Sequence, residues 1–140
     1  MTLSPLGTAV AELLADTAVK AITTRIRPIE PGTADAQGPG EYVPFVIVSV
    51  LDDQWQAPTA TATVTLGLRC YAETFAKAEA LYLACAAVFH RKGPRISASQ
   101  LGIYNSLVLG GGVFDKDPDT RQPLVHGIVE LHASIQPIPA

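Results

Sequence analysis

Several residue groups in the 140-residue chain have types and spacings that could do chemistry. Asp115, Asp117 and Asp119 alternate like the opening of a calcium loop. The glycine needed at the sixth position is Thr120, however, and the twelfth position is His126 rather than a bidentate glutamate. A solvated hairpin turn suits the Asp/Pro/Thr composition better. Gly110-Gly111-Gly112 could be taken for a phosphate cradle, but it lacks the GxxxxGKS/T and GxGxxG patterns and no helix follows to offer its N-terminus. A bulge, or the close approach of a neighbouring group, explains three glycines more simply. His126 and His132 fall on one face of a strand with Ile128 and Glu130 between them, and no third ligand is in view. Cys70 and Cys85 form no metal or redox motif and sit in apolar segments, as small buried hydrophobes do. Asp52 and Asp53 are adjacent in what reads as a loop, so they point apart and share no proton. No GxSxG elbow or cysteine–histidine arrangement is present. A catalytic centre is therefore not expected, nor a metal or a cofactor.

Composition points elsewhere. Hydrophobic residues make up 48% of the chain and charged residues 16%, below the usual quarter. The mean hydropathy is +0.25. A chain this size makes one domain with its own core. The apolar excess argues for a self-associating surface, because monomers rarely expose large apolar patches. A net charge of −3 argues against a protein built to grip phosphate backbones. The start Met1-Thr2-Leu3-Ser4-Pro5 lacks a basic stretch leading into an apolar one, so no secretion signal is expected. The near-apolar run 78–89 is too short for a bilayer. The expectation is a soluble protein in the cell that makes it.

The elements follow from periodicity. Residues 4–20 read as a helix, with Ser4 as cap, Pro5 in the first turn, and Leu6, Val10, Leu13, Leu14 and Val19 on an apolar stripe. A short strand is predicted over 22–27. Residues 29–41 hold three glycines and two prolines and read as a long loop. Residues 42–51 form a strand apolar on both faces, which needs cover on both. Residues 52–58 read as a loop carrying the only tryptophan, Trp55, either tucked against the domain or an interface anchor. From 59 to 72 small apolar residues alternate with threonines, the clearest strand in the chain. Residues 74–91 form a second helix, alanine-rich nearly all round, which suggests packing on more than one side. Residues 103–114 and 123–135 form a hairpin around a turn at 115–121, and 136–140 form an extended tail. The fold expected is α+β: a two-layer domain with a mainly antiparallel sheet of about five strands and two helices on one face.

The order of these features resembles the tail terminator, or tail-completion, proteins of long-tailed bacteriophages, over nearly the whole chain. The resemblance is carried by the N-terminal helix and the Thr24-Arg25-Ile26-Arg27-Pro28 strand. It continues in Val43-Pro44-Phe45-Val46-Ile47-Val48 and in the strand ending Leu66-Gly67-Leu68-Arg69-Cys70-Tyr71-Ala72, which runs into Thr74-Phe75-Ala76-Lys77-Ala78-Glu79-Ala80-Leu81. Asp117-Pro118-Asp119-Thr120 resembles the family's turn before its last strand. The resemblance implies a structural virion protein without a cofactor, in a ring of typically six copies on the head-proximal end of the tail tube. Such a ring stops tube growth and offers a surface to the head connector. Its partners are copies of itself, the tube protein and the connector or neck protein, and DNA passes through the lumen without specific binding. The long 29–41 loop departs from the family pattern.

Candidate interface residues are Trp55, Asp52 and Asp53, the turn residues Asp115, Asp117, Asp119 and Arg121, and Arg25 and Arg27 as salt-bridge partners. Ordinary solvated surface is the competing reading for each, and the usual one for surface charge. Two other readings compete. One is another neck or head-completion component. The other is a ligand-binding module with a sheet-face pocket lined by Tyr71, Tyr104 and His132.

Overall fold

A computed structural model describes residues 5–29, 44–56, 61–90, 93–96, 102–116 and 121–134. Helix α1 spans Pro5–Ala15 and α2 spans Thr17–Ile22. They divide the predicted 4–20 helix at Asp16, whose extended backbone lets its carboxylate accept from the Ala18 and Val19 N–H groups at 3.0 and 3.1 Å. An aspartate that caps the next turn competes with helix continuation. Ile22, predicted to open a strand, ends α2 instead.

Strand β1 covers Ile26–Ile29, with Pro28 inside it rather than ending it. It is an edge strand, where a missing N–H is tolerated. Thr23 ties it to the next strand: its hydroxyl donates to the Pro44 carbonyl at 2.9 Å and accepts from the Arg25 N–H at 3.0 Å. Strand β2, Phe45–Gln56, is longer than predicted, and β3 spans Thr61–Tyr71. Helix α3, Phe75–Phe89, is capped by Thr74, which accepts from the Lys77 N–H at 3.2 Å. Strand β4 is the pair Arg95–Ile96, β5 runs Gly102–Lys116 and β6 runs Pro123–Ser134.

The strands form one six-stranded sheet in the order β1-β2-β3-β6-β5-β4. Only β1 and β2 run parallel; the other four pairings are antiparallel. The fold is thus α+β, with the helices packed on the sheet. The sixth strand is the two-residue β4, and the third helix comes from the break at Asp16.

The core lies between the helices and one face of the sheet. Leu6, Ala9, Leu13 and Val19 from α1 and α2, and Ala78, Leu81, Tyr82, Cys85, Val88 and Phe89 from α3, pack on Val46, Val48, Val64, Leu66, Leu68, Cys70, Val125, Val129 and Leu131. The alternation in β3 explains the division. Its apolar residues at 62, 64, 66, 68 and 70 are buried, while Thr61, Thr63, Thr65 and Arg69 on the second face are half-buried. The two-faced β2 finds partial cover. Ile47 on its second face is buried with Tyr71, Leu124 and Phe45, and the Phe45 and Tyr71 rings meet edge to face at 6.5 Å.

Both cysteines are fully buried, as their apolar settings led one to expect. A hydrogen bond with Cys85 and burial push the Cys70 thiol up, and burial does the same to the Tyr82 phenol. The folded chain therefore holds these protons after the unfolded chain has released them. The stability this provides is present below the ordinary values of 9.0 and 10.0 and is lost as pH climbs past them. Thermal melts should show stability falling through this alkaline range, with a shallower slope in Cys70→Ala. An unchanged slope would mean that Cys70 does not supply it.

Candidate assembly surfaces

Three predicted interface residues lie in a strand, not in a loop. Asp52, Asp53 and Trp55 are part of β2, paired with Thr65, Val64 and Ala62 of β3. The assignment of 52–58 as a loop is thereby corrected as far as Gln56. Its polar residues masked a strand that continues past a bulge at Leu51, where the register shifts between Val50 and Asp52. Asp52 is exposed and accepts from Gln54 Nε2 at 3.0 Å, two residues along the same face.

The remaining candidates divide between two edges of the sheet. Arg25 and Arg27 are exposed beside and on β1, and the Arg25 carbonyl accepts from the Val46 N–H at 2.9 Å. Asp115 and Arg121 are exposed at the far side, next to the β5–β6 connection. Asp115 accepts from the Lys116 N–H at 2.8 Å. Arg121 has φ of 57°, a left-handed conformation of the kind a tight connection demands. Asp117 and Asp119 lie outside the described residues, as do nearly all of the 29–41 loop and the 136–140 tail. The register puts Arg25, Arg27, Asp115 and Arg121 towards the end of the sheet where β2 begins, with Asp52, Asp53 and Trp55 towards the other. The candidates are not one cluster.

The second face of the sheet, turned away from the helices, carries what the candidate list missed. Leu51, Leu107, Leu109, Val113 and Ile128 are 37–56% exposed there. Leu109 pairs with Ile128, Ile128 with Gly67, and Gly67 with Ser49. A Cβ at Gly67 would lie 3.4 Å from both Leu51 methyls, so Leu51 occupies the space above that glycine. An apolar band thus crosses β2, β3, β6 and β5. Arg69 and His126 flank it on one side, and Thr65 and Glu130 on the other. The signal was present in the alternation of 123–135, whose second face includes Ile128.

His126 and His132 do share that face, and His132 Nε2 lies 2.7 Å from Glu130 Oε1. Among the described residues no three His, Cys, Asp or Glu side chains gather as a metal would require. The ligand-pocket reading meets a geometric obstacle. Tyr71 pairs with Leu124 and is buried, while His132 lies eight residues further along β6, about 27 Å away. The two cannot line one small pocket, and the Tyr104 side chain lies outside the description.

The glycine triplet behaves as a bulge. The β5–β6 register shifts between Leu109 and Val113, leaving 110–112 opposite Gly127 alone. Gly112 and Gly127 both lie against Tyr82 of α3.

No family model matches the chain, and no curated protein does. Among solved structures, a chain of the "Virion of native gene transfer agent (GTA) particle" is similar at a TM-score of 0.66 and 13% identity, over 93% of this chain and 94% of that one. What the two share is the fold, along almost the full length of both.

Proposed function

We propose that the chain is a structural subunit of a phage-like virion, and that its role is to form a ring on the head-proximal end of a tail tube. The observation that carries this is the near end-to-end likeness in fold to a chain of a gene transfer agent virion. Two features of the molecule agree with it. The domain carries five large apolar side chains, 37–56% exposed, on one sheet face, and exposed apolar surface of that kind marks an interaction site. Its candidate residues also fall at opposite ends of the sheet. Arg25, Arg27, Asp115 and Arg121 lie towards one end, and Asp52, Asp53 and Trp55 towards the other. A subunit held between tube and connector needs two such surfaces.

In this reading the copies meet heterologously, as ring closure requires, and DNA passes through without being gripped. The protein needs no cofactor. The nearest alternative is another neck or head-completion component.

Mixing the purified protein with growing tail tubes tests the reading. Negative-stain images should show a ring of density on one end of each tube and growth arrested there. Bare ends on tubes that keep growing would overturn the proposal. A reproducible rise in melting temperature with a metabolite pool would favour the ligand module instead.

A further inference from the structure

The domain exposes apolar surface on two opposite sides. One is the band on the second sheet face. The other is the outer side of α3, where Ala76, Ala80, Leu83 and Ala87 recur at helical spacing and are all exposed, Leu83 by 58%. The opposite side of the same helix is buried against its own sheet. This helix therefore has two apolar sides, and among the described residues only one of them packs on the rest of the domain.

Resting on the reading of the chain as a ring subunit, we infer that the second sheet face seats another copy of this chain, and that what fills it is the outer side of that copy's α3. The dimensions agree. From Ala76 to Ala87 the helix runs about 16 Å, and the four strands crossed by the band span about 14 Å. Charge agrees as well. The band has Arg69 on one side and Glu130 on the other, while the helix stripe has Glu79 on one side and Lys77 on the other. Only one direction of the helix sets Glu79 towards Arg69 and Lys77 towards Glu130, so charge selects the orientation as apolar area supplies the contact. Lys77 lies 3.0 Å from Glu73 and Glu130 lies 2.7 Å from His132, local pairs that the contact would extend. The two surfaces are different patches of one chain, so the contact passes from copy to copy and leaves each with one sheet face and one helix to offer. The sheet then has helices on both sides, which the two-faced β2 calls for.

Two variants test this. Leu109→Glu spoils the sheet face and leaves α3 intact; Leu83→Glu does the reverse. Both positions are exposed, and circular dichroism checks that each variant folds. In sedimentation the wild type should assemble and each variant alone should be monomeric. An equimolar mixture should give a one-to-one dimer and nothing larger, because one good helix meets one good sheet. Arg69→Glu and Glu79→Arg should each weaken assembly, and together restore it. A Leu83→Glu protein that dimerises alone would mean sheet meets sheet. Either leucine variant assembling like the wild type, a mixture that stays monomeric, or a monomeric wild type would each overturn the inference. Rings of both leucine variants on tube ends would sink this contact and leave the terminator reading intact. A one-to-one dimer alongside uncapped tubes would support the contact and sink that reading.

Discussion

Replacing Phe89 with alanine should lower the unfolding free energy by about 4 kcal/mol, a cost typical of an aromatic ring removed from a closed core. Phe89 is the last residue of α3 and is fully buried in the main cluster. Its backbone matters as much as its ring. The Phe89 carbonyl accepts from Ser106 Oγ at 2.6 Å, and Ser106 is buried, so fraying of the helix end would break a buried hydrogen bond. The His90 N–H closes the helix on the Ala86 carbonyl at 2.9 Å, and the Val108 N–H donates to His90 Nδ1 at 3.4 Å. The end of α3 is thus joined to β5 by a hydroxyl and an imidazole, with the Phe89 ring anchored in the core. Leu83→Ala, on the exposed side of the same helix, should change stability by less than about 0.5 kcal/mol. Urea unfolding of the two variants provides the comparison, with the midpoint moving and the slope constant. A loss below about 1 kcal/mol in Phe89→Ala would mean that this end of the helix is not docked as described.

Patterns that depend on one strand or one helix were legible in the sequence. The threonine ladder of β3 announced its buried and half-buried faces, because a period of two is set by the chain itself. Thr74 announced the start of α3, and Gly110-Gly111-Gly112 announced an interruption of β5. What could not be read depends on partners distant in sequence. Asp52, Asp53 and Gln54 look like loop composition, yet they extend β2 because β3 offers Thr65, Val64 and Thr63 beside them. The parallel placing of β1 against β2 has no local signature either. Asp16 could have been recognised as a cap, but the apolar stripe runs through it, and periodicity carried the helix across the break.

The proposed assembly surface was half legible for the same reason. The alanine-rich face of α3 is visible in the sequence as a helix with more apolar sides than one sheet can use. The sheet band is not, because Leu51, Ile128 and Leu109 come from three strands. They become neighbours only once β6 is inserted between β3 and β5. The polar and aromatic candidates lie in apparent loops, apart from Arg25 and Arg27 on the predicted 22–27 strand. The exposed large apolar residues among those described sit instead on regular elements, where a rigid ladder fixes their spacing.

The other large effect should come from a single methyl group. Gly127→Ala is expected to cost about 3 kcal/mol. Its Cβ would collide with Tyr82 Oη and lie 2.7 Å from both Cε1 and Cζ. The Tyr82 ring cannot step aside, because it is buried against β5 as well, where a Cβ at Gly112 would lie 2.9 Å from Cε2. Two strands therefore give up a side chain where one helix lowers a ring, and this contact sets the height of α3 above the sheet. The Tyr82 hydroxyl is buried with no hydrogen-bond partner among the described residues. Tyr82→Phe should accordingly stabilise the domain by about 1 kcal/mol, since it removes a polar atom that burial leaves unsatisfied. Tyr82→Leu should destabilise on its own by opening a cavity. Combined with Gly127→Ala, it should lose at least about 1 kcal/mol less than the two losses added, because the new methyl enters the space the ring vacates. Strict additivity in that cycle would mean the glycine serves some purpose other than the ring. The cycle also reaches assembly: the outer side of α3 is only as well placed as the ring beneath it, so Gly127→Ala should weaken the association of copies while Tyr82→Phe leaves it intact.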